Sequence, residues 1–328
     1  MYKSFYNLRR NPFEITPDPS FLFPTNRHKE ALAALYYGVR RHKGFVVMTG
    51  EVGTGKTLLV RWLLQLLKGT NVAYAYVFNS RLSSLEFLQF ILGDFGLTTS
   101  GKSKSDLLLE FGRFLVTRYQ QKMTTVLVVD EAHHLSEEVL EEVRLLTNLE
   151  SAQEKLLQIL LIGQPELDDK LDLSELRQLK QRIALRARLE PLDREETFGY
   201  IERRLQMAGA TFEAKTLFPA ESVVEVFRYS RGIPRLINTI CENALINAYA
   251  RQLPSVPVQI IHEVAKDFRL NLTHWPRAEK AAKQGNNEPW QTADNLLQLP
   301  DYAQGTRIRE EQSSAAAIPG ERKHEPYL

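Results

Sequence analysis

An octapeptide between a predicted strand and a predicted helix constrains this chain more than any other feature. Residues 50–57 read GEVGTGKT and satisfy the pattern G-x-x-x-x-G-K-T. The glycines allow a tight turn whose backbone N–H groups point at an anion, and the turn opens onto a helix N-terminus. Residues 44–49 (GFVVMT) predict a buried strand before it, and residues 58–67 (LLVRWLLQLL) predict a helix after it. An ordinary glycine-rich turn is the alternative, but it does not require this context.

The side chains of the octapeptide predict the phosphate-binding loop of a nucleoside triphosphatase. Lys56 supplies a mobile positive charge for the β- and γ-phosphates, and the Thr57 hydroxyl can ligate Mg²⁺. We therefore expect ATP and Mg²⁺ as cofactors. The predicted nucleotide-binding residues of the loop are Gly50, Glu51, Val52, Gly53, Thr54, Gly55, Lys56, Thr57 and Leu58.

A second motif places two carboxylates at a strand end. Residues 126–131 read VLVVDE, which is typical of a buried parallel strand whose carboxyl end faces a ligand crevice. Asp130 is predicted to hold Mg²⁺ through water, and Glu131 to polarise the attacking water. Without the upstream loop, two helix-capping acids would be the simpler interpretation. The string continues to DEAH, but a helicase of that kind needs a second similar domain, so we interpret His133 and His134 as helix-start residues near the site.

Composition restricts the remaining function classes. The chain has 328 residues, a net charge of +2 and a single cysteine, which excludes a disulfide framework and a cysteine-based zinc site. The near-neutral charge gives no global signal for nucleic acid. No apolar stretch of about 18 residues is free of charge, so we expect no membrane span. We also expect no signal peptide, and these features together favour the cytoplasm.

Strand and helix patterns alternate over residues 44–192 and predict a parallel α/β sheet covered on both faces. One predicted strand, residues 72–78, separates the phosphate loop from VLVVDE, as in ATPases with an additional strand between these elements. Residues 193–270 are predicted to be all helical and to form a small lid. Residues 1–43 precede the core as a linker and a helix, and residues 271–328 have a polar composition that predicts disorder.

The chain resembles AAA+ ATPases of the ExeA/GspA type, named for a general secretion pathway, and the related ATPases of exosortase (PEP-CTERM) loci. The resemblance covers residues 1–270 and is carried by MYKSFYNLRRNPFEITPDPSFLF, HKEALAALYYGV, GEVGTGKT, VLVVDEAHHL, LLIGQPEL and SRGIPRLIN. More distantly, the chain resembles the transposition ATPases TnsC, TniB and MuB, which bind DNA. The resemblance implies the AAA+ form of the P-loop fold with a helical lid. We expect a homo-oligomer, either a ring or an open helix.

The family pattern implies further functional positions. Gln164 matches the sensor-1 position at a strand end, with a turn residue before Pro165 as the alternative. Arg235, in the string GIPR, matches the sensor-2 arginine of the lid, with a surface salt bridge as the alternative. An arginine finger lies before the last core strand in this family and completes a neighbouring subunit's site. Arg182 is our first candidate for it and Arg177 our second.

The adenine base needs contacts other than the phosphate loop. Pro12 and Phe13 of the string NPF precede the core as the adenine-side linker does in this superfamily. We expect this backbone and the Phe13 ring to pack beside the base, against lid residues near Ile201. The alternative is that Phe13 only fills the core.

Two function classes remain open, with a third disfavoured. The leading hypothesis is an ATPase that drives assembly or remodelling in a secretion or polysaccharide-export system, whose components would be its partners. The alternative is an ATP-dependent regulator that polymerises on duplex DNA and recruits a transposase. A scaffold that binds ATP without turnover is the third, and Glu131 argues against it because a pure binder needs no general base.

Overall fold

Five parallel strands form a sheet with helices on both faces in the computed structural model, as the alternating patterns predict. The structure describes residues 2–14, 23–78, 81–151, 154–211 and 214–270, which lie in one compact unit. The strands are β1 (Phe45–Gly50), β2 (Val72–Val77), β3 (Thr124–Val129), β4 (Leu157–Gly163) and β5 (Leu185–Leu189). The helices are α1 (Tyr2–Phe5), α2 (Asn26–Arg40), α3 (Lys56–Leu67), α4 (Ser84–Asp94), α5 (Lys104–Gln120), α6 (Glu137–Leu146), α7 (Glu166–Leu171), α8 (Arg177–Lys180), α9 (Arg194–Met207), α10 (Ala214–Leu217), α11 (Ala220–Ser230), α12 (Pro234–Ala250) and α13 (Val258–Asp267).

The strand order β2-β3-β4-β1-β5 determines which loops are neighbours. β1 lies between β4 and β5, with Thr49 opposite Gly163 and Arg188. Because the carboxyl ends of parallel strands meet at one edge, the residues that follow β1, β3 and β4 lie together there. That edge carries the loop of residues 50–57, the acids after β3 and the residue after β4.

The buried side chains of the strands alternate between two cores. Odd-numbered residues such as Val47, Leu127 and Leu161 pack with α4, α5 and α6. Even-numbered residues such as Met48 and Val128 pack with α2 and α3. Both faces of the sheet are therefore covered, which explains why the strands are continuous apolar runs.

A third core lies in the helical part, and the start of the chain belongs to it. Tyr2, Tyr6 and Phe13 pack with residues of α9, α11, α12 and α13. The Tyr6 hydroxyl also donates to the Leu253 carbonyl at 3.0 Å. α2, by contrast, packs against the sheet beside β5. The described residues of the segment 1–43 thus divide between the helical part and the sheet.

A tight turn attaches the helical part to the chain that follows β5. α11 ends at Ser230 with Arg231 as its C-cap, and Gly232 has a left-handed φ of +75°. The Leu192 N–H donates to the Gly232 carbonyl at 2.9 Å. A Cβ on Gly232 would lie 1.8 Å from the Leu192 carbonyl oxygen, so only glycine fits there. Pro234 then begins α12 at a position where a missing N–H does no harm.

β2 is an edge strand whose outward backbone groups have partners within the chain. The Val72 N–H donates to the Thr70 carbonyl, and the Tyr76 N–H donates to Asp94 Oδ2, both at 2.7 Å. Asp94 is the last residue of α4. The polar edge that an outer strand offers to other chains is thus partly occupied.

The elements that the sequence patterns did not predict are short. α1, α7, α8 and α10 have four to six residues each, too few to repeat a helical period. The apolar pattern of residues 183–189 predicts a strand, but β5 begins only at Leu185, because the Ile183 N–H donates to the Lys180 carbonyl and extends the turn after α8.

Two expectations concern the rest of the chain. The predicted disordered tail, residues 271–328, lies outside the described residues. Within the described residues, none of the helices combines the length and apolar character that crossing a membrane requires.

Candidate functional site

The loop between β1 and α3 has the tight backbone that the octapeptide predicts. Gly53 has a φ of +82°, and a Cβ there would lie 2.7 Å from the Cβ of Arg235. The Arg235 N–H donates to the Gly53 carbonyl at 3.3 Å. Gly55 precedes α3, whose first residue is Lys56. The loop therefore opens onto a helix N-terminus on one side and contacts the helical part on the other.

Lys56 is buried against the loop that it follows. Its Nζ donates to the carbonyls of Gly50 (2.7 Å) and Glu51 (3.0 Å). Burial lowers the pKa of Lys56, and the nearby carboxylates of Glu131 and Asp130 oppose this shift. The ammonium group is thus partly desolvated and available to an anion that enters the loop.

Asp130 follows β3 and is held by three donors. Thr57 Oγ1 and the Tyr76 hydroxyl donate to its Oδ2 at 2.8 and 2.6 Å. The Glu131 N–H donates to Oδ1 at 2.9 Å. Asp130 is 5% exposed, and no cation pairs with it in the described part of the chain. A buried carboxylate beside a hydroxyl suits Mg²⁺, which prefers oxygen ligands.

Tyr76 was not predicted as a site residue. It lies one residue before the end of β2, opposite Val128, so its hydroxyl reaches the end of the neighbouring strand. Burial and the charge of Asp130 raise the pKa of the Tyr76 hydroxyl, which therefore stays protonated and donates. The sequence signal is only the position of a tyrosine near the end of the strand that pairs with VLVVDE.

Glu131 and Gln164 meet at His133. The Gln164 amide Nε2 lies 2.9 Å from His133 Nε2 and 3.4 Å from Glu131 Oε2. Because an amide nitrogen only donates, His133 Nε2 accepts from Gln164, while His133 Nδ1 lies 3.4 Å from both the Gln164 backbone nitrogen and Glu131 Oε2. Burial lowers the pKa of His133, as does His134, whereas Glu131 opposes the shift.

The short 3₁₀ turn after the acids positions this group. The turn spans Ala132–His134 and follows Glu131, whose φ is +51°. Lys170 Nζ donates to the carbonyls of His133 and Leu135 at 2.7 Å each. His133 and His134 lie within this short turn, ahead of α6, rather than at the start of a helix, and the contacts of His133 with Glu131 and Gln164 were not predicted.

His28 is a second residue that the sequence interpretation missed. Its Nδ1 lies 2.7 Å from Thr25 Oγ1, and its Nε2 lies 3.3 Å from the Thr54 carbonyl of the loop. The side chain is buried at the start of α2, and this burial lowers its pKa. His28 therefore links α2 to the phosphate loop.

The arginines before β5 do not join this group in the single chain. Arg182 Nη1 donates to Thr147 Oγ1 at 2.8 Å, just after α6. Arg177 is exposed at the start of α8. Neither contacts Lys56 or Glu131. Their assignment as an arginine finger stays a prediction.

The adenine-side residues lie in the core of the helical part. The Phe13 ring is 0% exposed and meets Phe218 edge-on, with ring centroids 5.7 Å apart. The Pro12 carbonyl accepts from Arg204 Nη1 at 3.3 Å. Ile201 belongs to the same buried cluster. Contact of Pro12 and Phe13 with adenine stays a prediction, with Phe13 serving at least as a core residue.

Arg235 leaves its guanidinium free of ion pairs among the described residues. Its side chain is exposed at the start of α12, while its backbone is bonded to Gly53. The alternative interpretation, a surface salt bridge, thus finds no carboxylate partner in the described part of the chain. Its role as a sensor of bound nucleotide stays a prediction.

The sequence matches known proteins over most of this region. A family model described as an AAA domain matches residues 39–171. General secretion pathway protein A of Aeromonas hydrophila is 45% identical over 252 residues, which cover 76% of this chain and 45% of that protein. The chain therefore spans less than half the length of this relative.

Solved structures show the same fold. ORC2 of Aeropyrum pernix aligns with a TM-score of 0.57 and 18% identity, over 79% of this chain and 71% of that one. Cdc6p of Pyrobaculum aerophilum aligns with a TM-score of 0.57 and 17% identity, over 81% of this chain and 70% of that one. The RuvB Holliday junction branch migration motor of Thermotoga maritima aligns with a TM-score of 0.51 and 17% identity, over 77% of this chain and 73% of that one. At these identities the likeness concerns the fold alone. The chain thus has the AAA+ P-loop fold, and over 76% of its length its sequence is similar to general secretion pathway protein A.

Proposed function

We propose that this chain binds ATP with Mg²⁺ and hydrolyses it. The observation that carries the proposal is the meeting of Lys56, the hydrogen-bonded pair Thr57–Asp130 and Glu131 at one edge of the sheet. A phosphate-binding loop alone accounts for nucleotide binding. A buried carboxylate beside its threonine, followed directly by a second carboxylate, also provides for a metal ion and a base.

Phosphate and metal binding divide between two sets of groups. Loop N–H groups and Lys56 bind the phosphates, and Lys56 exchanges its bonds to the Gly50 and Glu51 carbonyls for charge-assisted bonds to phosphate oxygens. Thr57 and Asp130 would hold Mg²⁺, Asp130 through water. When bound, the ion neutralises charge on the phosphates.

The remaining groups act on water and on the γ-phosphate. Glu131 accepts the proton of the attacking water, and Gln164, 3.4 Å from that carboxylate, orients the water. Arg235 approaches the γ-phosphate from the helical part, since its backbone is already bonded to Gly53. If the helical part closes over the nucleotide, Arg235 would couple that movement to the γ-phosphate.

Two substitutions separate binding from hydrolysis. Lys56→Ala removes the cation and should abolish binding of a fluorescent ATP analogue. Glu131→Gln should keep binding and lower turnover by roughly 10²-fold or more, the usual share of a general base. Glu166→Gln is the matched control, because this carboxylate influences Lys56 electrostatically but has no proposed role. Equal turnover of Glu131→Gln and the unmodified protein would remove Glu131 from catalysis.

We infer that hydrolysis serves assembly or remodelling in a secretion or polysaccharide-export system, acting in the cytoplasm as a homo-oligomer. The support is the 45% identity to a protein named for the general secretion pathway. The Glu131→Gln variant, which should retain ATP, is expected to capture components of such a system. ATP-dependent, salt-sensitive binding to duplex DNA without such capture would instead favour the transposition-type regulator.

A further inference from the structure

Asp130 shares one of its oxygens between two hydroxyl groups. Thr57 lies in the phosphate loop and is part of the predicted motif, but Tyr76 lies on the edge strand β2 and belongs to no motif. The Tyr76 hydroxyl is nevertheless the closer of the two, at 2.6 Å against 2.8 Å. The contact therefore needs an explanation beyond the phosphate loop.

The hydrogen-bonding capacity of this carboxylate is nearly filled. An ionised carboxylate offers about four acceptor positions. The hydroxyls of Thr57 and Tyr76 take two on Oδ2, and the Glu131 N–H takes one on Oδ1. The fourth position is therefore on Oδ1. Since Asp130 is 5% exposed, water cannot readily replace a lost donor, so the three bonds fix the rotation of the carboxylate.

Tyr76 is itself fixed in the strand. Its backbone pairs with β3 opposite Val128, two residues before Asp130. On the outer side, its N–H donates to Asp94 Oδ2 at 2.7 Å. The hydroxyl is thus presented from a strand anchored on both sides, and its position is determined before any ligand binds.

We propose that Tyr76 is a positioning residue for the metal site: its hydroxyl fixes Asp130 in one orientation and thereby strengthens Mg²⁺-dependent nucleotide binding. The proposal rests on the proposed function, in which Asp130 holds Mg²⁺. Partners that orient metal ligands commonly contribute about 10- to 100-fold to metal affinity. In this role Tyr76 acts through Asp130, to which its hydroxyl donates, rather than as a ligand of the metal.

The strand offers its own matched control. Tyr76→Phe removes only the hydroxyl, and Tyr74→Phe makes the same change two residues away, where the side chain is 47% exposed and forms no hydrogen bond in the described structure. The dissociation constant of a fluorescent ATP analogue is measured for each protein with Mg²⁺ and with EDTA. We expect the gain in affinity that Mg²⁺ provides to be about tenfold smaller in Tyr76→Phe than in the unmodified protein. The affinity in EDTA should be the same for both proteins. Tyr74→Phe should match the unmodified protein.

The outcomes distinguish this inference from the function on which it rests. An unchanged Mg²⁺-dependent gain in Tyr76→Phe would overturn the positioning role and leave the proposed function intact. An equal loss of affinity with Mg²⁺ and with EDTA would also overturn it, because general damage to the site affects both. If the unmodified protein gains no affinity from Mg²⁺, the proposed function fails, and the inference fails with it.

Discussion

His28 supports the phosphate loop through both of its ring nitrogens. The Thr54 carbonyl can only accept, so Nε2 carries the ring proton, while Nδ1 accepts from the Thr25 hydroxyl. A neutral ring satisfies both partners. Because the side chain is buried, a second proton would place a charge away from water, and the pKa of His28 is lowered for that reason.

We expect this histidine to make the stability of the protein depend on pH. In the unfolded chain its pKa is near 6.5, and in the folded protein it is lower. The unfolded state therefore binds the proton more readily, so the contribution of His28 to the free energy of unfolding is complete above pH 6.5 and is lost as the pH falls below it. His28→Gln keeps an amide donor for Thr54 but cannot titrate. Denaturant titrations above and below this pH should show a smaller loss of stability in the variant, and equal losses would contradict the assignment.

His133 should affect turnover more than binding. Its ring lies between the proposed base Glu131 and Gln164, so His133→Ala leaves the Glu131 carboxylate less constrained. We expect turnover to fall by about tenfold, a fraction of what a general base contributes, with unchanged affinity for an ATP analogue. His134→Ala is the comparison, since this neighbouring side chain is exposed and its ring centroid lies 3.9 Å from that of His133. An equal fall in both variants would show that the effect comes from the turn as a whole.

The residues predicted from the sequence are those that are contiguous in it. The phosphate loop and the pair Asp130–Glu131 form short strings whose chemistry can be inferred from spacing, and the structure brings them together. Tyr76 and His28 depend instead on strand register and on the packing of α2 against the loop. Neither of these follows from a single sequence pattern, because each joins residues that are far apart along the chain.

At the scale of elements, the turn between α11 and α12 controls how the helical part is attached. Gly232→Ala would place a Cβ against the Leu192 carbonyl oxygen at a positive φ, where neither backbone can retreat. We expect a loss of more than about 2 kcal/mol in the free energy of unfolding. Gly112→Ala is the opposite case, because Gly112 lies inside α5 with open space around it. That change should stabilise the protein by about 0.5–1 kcal/mol.

Thermal unfolding of the two glycine variants checks this contrast. A similar melting temperature for Gly232→Ala and the unmodified protein would mean that the turn can adopt another conformation. Stabilisation by Gly112→Ala alone would show that the measurement detects effects of this size.

Long elements were predictable, whereas the partners of short ones were not. The core strands are apolar runs that had to be buried on both faces, and the structure confirms the parallel sheet. The first residues of the chain are a different case. Tyr2 and Tyr6 pack into the helical part some 240 residues later in the sequence, against α12 and near Leu253. Such contacts depend on tertiary packing, which local patterns do not contain.

At the scale of the whole molecule, we expect turnover to require association of copies. Among the described residues, Arg177 and Arg182 form no contact with Lys56 or Glu131, and an arginine finger accelerates phosphoryl transfer by ~10³–10⁵ where one is used. Turnover per chain should therefore rise with protein concentration. Arg182→Ala should lower turnover while ATP binding is retained, and mixing it with Glu131→Gln should restore activity, since one copy supplies the base and the other the arginine. Arg177→Ala tests the second candidate in the same way.

The hydrogen bond of Arg182 within its own chain provides the control. Thr147→Val removes the partner of the guanidinium but leaves the charge. If Thr147→Val lowers turnover as much as Arg182→Ala, Arg182 has a structural role. Full activity of a demonstrated monomer would contradict the requirement for association.

Asp94 occupies a backbone N–H on the outer side of the edge strand β2, where another copy of the chain could otherwise pair. A strand added outside β2 would need the N–H groups of Val72 and Tyr76, and both are already bonded within the chain. Extension of the sheet from one copy to the next through β2 would first have to break these bonds. Association through side chains would leave these bonds intact, so copies joined in that way can separate without breaking backbone hydrogen bonds.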